Sequence, residues 1–94
     1  MYRIIEGRGT GKTSRLMLLA KENNAIFVCE NPRAMEYKAQ KYGIDGIYFI
    51  SYGDFFNHYK EYKDQKYVID EIEVFIQQAL FYHNELIGYS LSLE

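Results

Sequence analysis

Two short stretches carry residue types that could do chemistry together. The first is Glu6-Gly7-Arg8-Gly9-Thr10-Gly11-Lys12-Thr13, in which glycines alternate ahead of a lysine and a hydroxyl. Glycines let successive backbone N–H groups turn toward an anion, in dihedrals that side chains would block. A helix opening at Lys12 would add its free N–H groups and partial positive charge to the same cradle. Gly7, Arg8, Gly9, Thr10, Gly11, Lys12, Thr13 and Ser14 are therefore the candidate phosphate-binding residues, with Lys12 reaching the terminal phosphates and the Thr13 hydroxyl ligating Mg²⁺. The second stretch is Tyr67-Val68-Ile69-Asp70-Glu71, an apolar strand that ends in two carboxylates. Open α/β sheets bind ligands at the carboxyl edge of their strands, where this pair would lie. Asp70 would hold Mg²⁺ through water, and Glu71 would orient or deprotonate an attacking water. Taken singly, Gly-Lys-Thr is an ordinary turn and Asp-Glu an ordinary helix start; both point to one chemistry when read together.

The elements that must position these residues alternate along the chain. Tyr2–Ile5 reads as a short strand stopping at the glycines, and Lys12 to about Asn23 as a helix with Leu16, Leu19 and Ala20 on one face. Ala25–Cys29 is apolar throughout, as expected of a strand covered on both faces. Asn31-Pro32 is a helix start, with a good N-cap before a proline whose missing N–H does no harm, and Gly43 can end that helix in a left-handed conformation. Gly46–Ile50 predicts a third strand, and Asp54-Phe55-Phe56 a short helical turn capped by Asp54. Lys60–Lys66 reads as a solvated loop and Tyr67–Asp70 as a fourth strand. Ile72, Phe75, Ile76, Ala79 and Leu80 form an apolar stripe at helical spacing, continuing to Phe81, and Ile87–Leu93 alternates like a fifth strand. The expectation is a three-layer α/β sandwich with a mostly parallel five-stranded sheet, residues 1–94 forming one small domain.

In this order, the motifs resemble a P-loop NTPase of the class with an additional catalytic glutamate. The resemblance is greatest to the first motor domain of superfamily 1 and 2 helicases and related phage ATPases. Gly7–Thr13 is similar to their Walker A loop, and also to that of phage terminase large subunits. Asp70-Glu71-Ile72-Glu73 is similar to their Walker B segment. Two softer matches lie between, at Cys29–Ala34 and Ile50–Phe56. The resemblance implies a minimal RecA-like core in which Ile87–Leu93 inserts between the Walker A and Walker B strands. It implies ATP as ligand, Mg²⁺ held by Thr13 and Asp70, and Glu71 and Lys12 as the catalytic residues. Glu6 departs from the pattern, which has a glycine there, and a carboxylate beside phosphates is repulsive unless it points away. No second motor half follows in this chain, so an arginine finger would have to come from a partner or a second copy; Arg8, Arg15 and Arg33 are the candidates here. The resulting expectation is slow Mg-dependent ATP hydrolysis, completed by a partner or a second copy, in phage DNA metabolism. The alternative is a non-catalytic module that keeps the fold and docks on a larger DNA-processing or defence protein.

Composition excludes several other classes. At 94 residues the chain has room for one core, and 48% hydrophobic against 26% charged residues is a globular balance rather than a disordered one. A formal net charge of −2 leaves no general basic field for duplex binding. Single-stranded nucleic acid, stacked on Tyr37, Tyr42, Tyr59 or Tyr62 beside lysines, is disfavoured by the same balance. One cysteine provides no disulfide framework, and Cys29 reads as a buried small hydrophobe. Runs such as Leu16–Ala20 are too short to span a membrane, and no signal-peptide pattern opens the chain, so the expected location is cytoplasmic. His58 and His83 have no ligand-spaced partner and read as surface or half-buried residues.

Overall fold

The structure, a computed structural model, describes residues 1–7, 9–80, 85–90 and 92. Helix α1 (Lys12–Asn23) turns through the left-handed Asn24 into strand β1 (Ile26–Cys29). Helix α2 (Pro32–Tyr42), strand β2 (Phe49–Ser51) and helix α3 (Tyr52–His58) follow, and a 3-10 turn spans Tyr59–Tyr62. Strand β3 (Tyr67–Ile69) and helix α4 (Ile72–Ala79) complete the regular elements among the described residues. The strands form one parallel sheet in the order β2-β1-β3, with Phe27 opposite Phe49 and Val68.

Helices cover both faces of this sheet, which is why β1 is buried at every residue. Phe27 and Cys29 point toward α1 and α2, into a core with Met17, Ala20, Ala39 and Ile44. Ile26 and Val28 point the other way, with Ile50, Tyr52 and Phe55 against Val74 and Phe75. Local signals account for most boundaries. The Asn31 side chain accepts the Ala34 N–H at 3.2 Å, Pro32 occupies the first turn, and Gly43 closes α2 at φ 71°.

Several expectations are corrected. The sheet has three strands among the described residues, where five were expected. Tyr2–Ile5 and residues 87–90 have no regular structure, and Ile87 is 92% exposed. The insertion of Ile87–Leu93 between two strands is therefore not observed; Leu91 and Leu93 of that segment lie outside the described residues, as do Phe81 and His83. The outer edge of β3 carries no further strand among the described residues. The third strand begins at Phe49 rather than Gly46, because Gly46 takes φ 77° and turns the chain. Helix α3 starts earlier than expected, and its cap is Ser51, whose hydroxyl accepts the Asp54 N–H at 3.1 Å. The segment expected as a solvated loop from Lys60 begins inside the 3-10 turn.

Candidate functional site

Helix α1 packs against β1 after a tight turn, with the Ala25 N–H bonded to the Ala20 carbonyl at 2.8 Å. The two elements therefore run antiparallel, and the start of α1 lies at the carboxyl edge of the sheet. The chain leaves β1 toward β2 on one side and returns to β3 on the other, so the sheet's switch point falls between the carboxyl ends of β1 and β3. The loop before α1 and the Asp70-Glu71 turn after β3 meet at this place. Lys12 Nζ lies 3.9 Å from Glu71 Oε1, which brings together the two stretches singled out in the sequence.

Gly9 (φ 77°) and Gly11 (φ 80°) both take left-handed backbone conformations, which L side chains rarely adopt. Gly11 is the N-cap of α1 and offers no side chain to the helix's free N–H groups. Thr10 Oγ1 donates to the Gly7 carbonyl at 2.9 Å, closing the loop on itself, and Ser14 Oγ donates to the Gly11 carbonyl at 3.1 Å. Thr13 lies half-buried in the first turn of α1, and Arg8 lies outside the described residues. Glu6 forms an ion pair with Arg15, one turn into α1. Arg15 also donates to the Thr10 carbonyl at 3.2 Å and the Gly11 carbonyl at 3.4 Å. The carboxylate that departs from the expected pattern is thus neutralised within the loop, and the arginine doing so is committed to its own chain.

The acidic turn has its own supports. Burial pushes the Asp70 carboxyl above its ordinary value, while Lys38 of α2 and then Lys12 pull it back. Glu71 is also raised, first by a hydrogen bond with Glu73, whose carboxyl is lowered by the same bond. Glu71 has a left-handed backbone (φ 56°, ψ 68°) and serves as N-cap of α4 without a side-chain cap bond. Tyr52 Oη donates to the Asp70 carbonyl and lies 3.3 Å from the Glu71 carbonyl. Beside them, Gln78 Nε2 donates to Glu30 Oε1 at 3.3 Å, tying α4 to the end of β1.

Three contributors escaped sequence reasoning: Lys38 beside Asp70, Arg15 on Glu6 and Tyr52 under the acidic turn. Each is recruited by tertiary placement, with no local spacing to announce it. Cys29 ends β1 fully buried, and burial with the nearby Asp70 charge pushes its thiol up to about 12. His58 is an exposed residue 3.6 Å from Glu61. Among the described residues, no three His, Cys, Asp or Glu side chains gather as metal ligands, and no helix is long and apolar enough to cross a membrane. In comparisons with known proteins, no family model, no curated protein and no solved structure matches the chain.

Proposed function

We propose that this chain is a small ATP-binding P-loop domain with slow Mg-dependent hydrolysis, its turnover completed by a partner or a second copy. The observation that carries the reading is the meeting of Lys12 with Glu71 at the switch point of a parallel sheet. A lysine at a helix start and a carboxylate after a distant strand have no structural need of each other at 3.9 Å, with 23% and 44% of their side chains exposed. Side by side at the carboxyl edge of the sheet, they suit a polyphosphate bound by the lysine and an attacking water held by the carboxylate.

The loop fits the ligand class. Gly9 and Gly11 hold the left-handed dihedrals needed to turn N–H groups inward, and space around Gly9 is open. Gly7, Thr10, Gly11 and Ser14 would surround the phosphates, and Lys12 would bind their terminal oxygens. Thr13 and Asp70 would hold Mg²⁺, which supplies charge neutralisation at the phosphates when bound. Glu71 would orient the water and accept its proton; the raised affinity of its carboxylate for protons favours that role. The RecA-like sheet that this reading requires is wider than three strands. The outer edge of β3, where the backbone groups of Tyr67 and Ile69 face away from β1, is where further strands would join. Service in phage DNA metabolism belongs to the same proposal and rests on the sequence resemblance.

Calorimetric titration with Mg²⁺ and a non-hydrolysable ATP analogue tests the reading. Lys12→Ala should weaken binding about 10- to 100-fold, as expected for loss of charge-assisted hydrogen bonds. Glu71→Gln should keep binding while hydrolysis stops. Absence of binding by the wild-type protein would refute the proposal and leave the non-catalytic docking module as the better account.

A further inference from the structure

Tyr52 connects the acidic turn to α3 through its hydroxyl. It is the first residue of α3, directly after the Ser51 cap, and only 2% exposed. Its ring packs edge-on against Phe75 with centroids 5.4 Å apart. The hydroxyl passes beyond that contact and is shared between the Asp70 and Glu71 carbonyls. The Glu71 carbonyl also accepts the Val74 N–H at 3.0 Å and the Phe75 N–H at 3.2 Å, so α3 and the first turn of α4 converge on one peptide.

That peptide follows a residue whose backbone has a reason to relax. Glu71 sits at positive φ, where a glutamate has no intrinsic preference to stay. In this conformation its carboxylate extends to within 3.9 Å of Lys12. A return to right-handed backbone would swing the side chain off the lysine. Burial raises the Tyr52 hydroxyl's own pKa, so it remains a protonated donor throughout the physiological range. We infer that Tyr52 is a positioning residue for Glu71: its hydroxyl pins the Asp70–Glu71 backbone in the left-handed turn that presents the Glu71 carboxylate beside Lys12. The inference rests on the ATP reading above for what Glu71 does there.

Tyr52→Phe removes the hydroxyl and keeps the ring. The expected result is a fall in kcat of about 3- to 10-fold, the scale of one lost hydrogen bond, with the affinity for Mg²⁺ and the ATP analogue within twofold of wild type. Amide exchange at Val74 and Phe75, followed by NMR, should speed by a similar factor. Phe75→Leu serves as the packing control: it loses the ring contact, keeps the hydroxyl bonds, and should lower Tm while leaving kcat within twofold. The inference is overturned if Tyr52→Phe turns over like wild type, if it loses the folded circular-dichroism spectrum, or if Phe75→Leu loses as much kcat. Failure of the ATP reading has a different signature, because wild type itself then neither binds nor hydrolyses.

Discussion

Replacing Arg15 by Gln isolates a contribution that the glycine-loop pattern alone does not contain. Arg15 neutralises Glu6 and donates to the Thr10 and Gly11 carbonyls, at 3.2 and 3.4 Å. Both side chains of the ion pair are partly open to water, 47% for Arg15 and 40% for Glu6, so the pair itself contributes about 0–1 kcal/mol. The two carbonyl bonds hold the loop in shape and add about 0.5–1 kcal/mol each, the 3.4 Å bond at the low end. Once Arg15 is gone, the Glu6 charge faces incoming phosphates unscreened and the loop must be ordered by the ligand. The summed loss of about 1–2.5 kcal/mol predicts a roughly 5- to 70-fold weaker Kd for Mg²⁺ and the ATP analogue. Calorimetry on wild type, Arg15→Gln, Glu6→Gln and the double variant closes a mutant cycle. The double variant should recover the electrostatic share, binding about 1.5- to 5-fold better than Arg15→Gln. An Arg15→Gln protein that titrates like wild type, or a double variant no better than the single one, refutes this reasoning.

Three further outcomes follow from burial and charge. Asp70 has its folded pKa raised above the ordinary 3.8, so the folded state holds its proton longer than the unfolded chain, and stability from this group falls as pH rises from 3.8 through the raised folded value. In metal-free buffer Asp70→Asn should therefore melt higher than wild type at pH 7, with the gap closing as pH drops toward 4; an unchanged gap would contradict the burial argument. Phe27 is fully buried between Met17, Cys29 and Phe49, and Phe27→Ala should cost about 3–5 kcal/mol in urea denaturation. The Cys29 thiol, 0% exposed with its pKa pushed up to about 12, should resist alkylation at pH 8 until urea unfolds the chain.

The fold was legible where short-range chemistry decides it. Lys12–Asn23 and Asn31–Gly43 carry their caps and their apolar periods within a dozen or so residues, and both helices form where the pattern places them. The outer strands were not legible, because whether Tyr2–Ile5 pairs depends on the length and occupancy of an edge far away in sequence. At the site, Lys12, Asp70 and Glu71 were visible as residue types, and their mutual placement followed from strand-edge reasoning. Tyr52 carries no signal of its own beyond its place in the Ile50–Phe56 stretch, and nothing in the sequence tells that its hydroxyl would find carbonyls from another strand's end. In the sequence Arg15 is one of three arginine-finger candidates, beside Arg8 and Arg33, with nothing to separate them. Its reach back to Glu6 spans a loop and a helix turn, a separation with no periodic signature.

The strand order has a consequence for the integrity of the chain. β3 pairs with β1 rather than with β2, which precedes it, so the connection through Lys60, Lys63 and Lys66 joins opposite edges of the sheet. All three lysines are exposed and open to trypsin. A cut there would leave a piece ending near Lys63 and a piece carrying β3 and α4. Their association does not depend on the severed link: the β1–β3 ladder, the α3–α4 contact and the Tyr52 hydroxyl all bridge the two pieces. A chain cut there should therefore elute as one assembled species in size-exclusion chromatography, two complementing fragments whose shared boundary runs beneath the acidic turn.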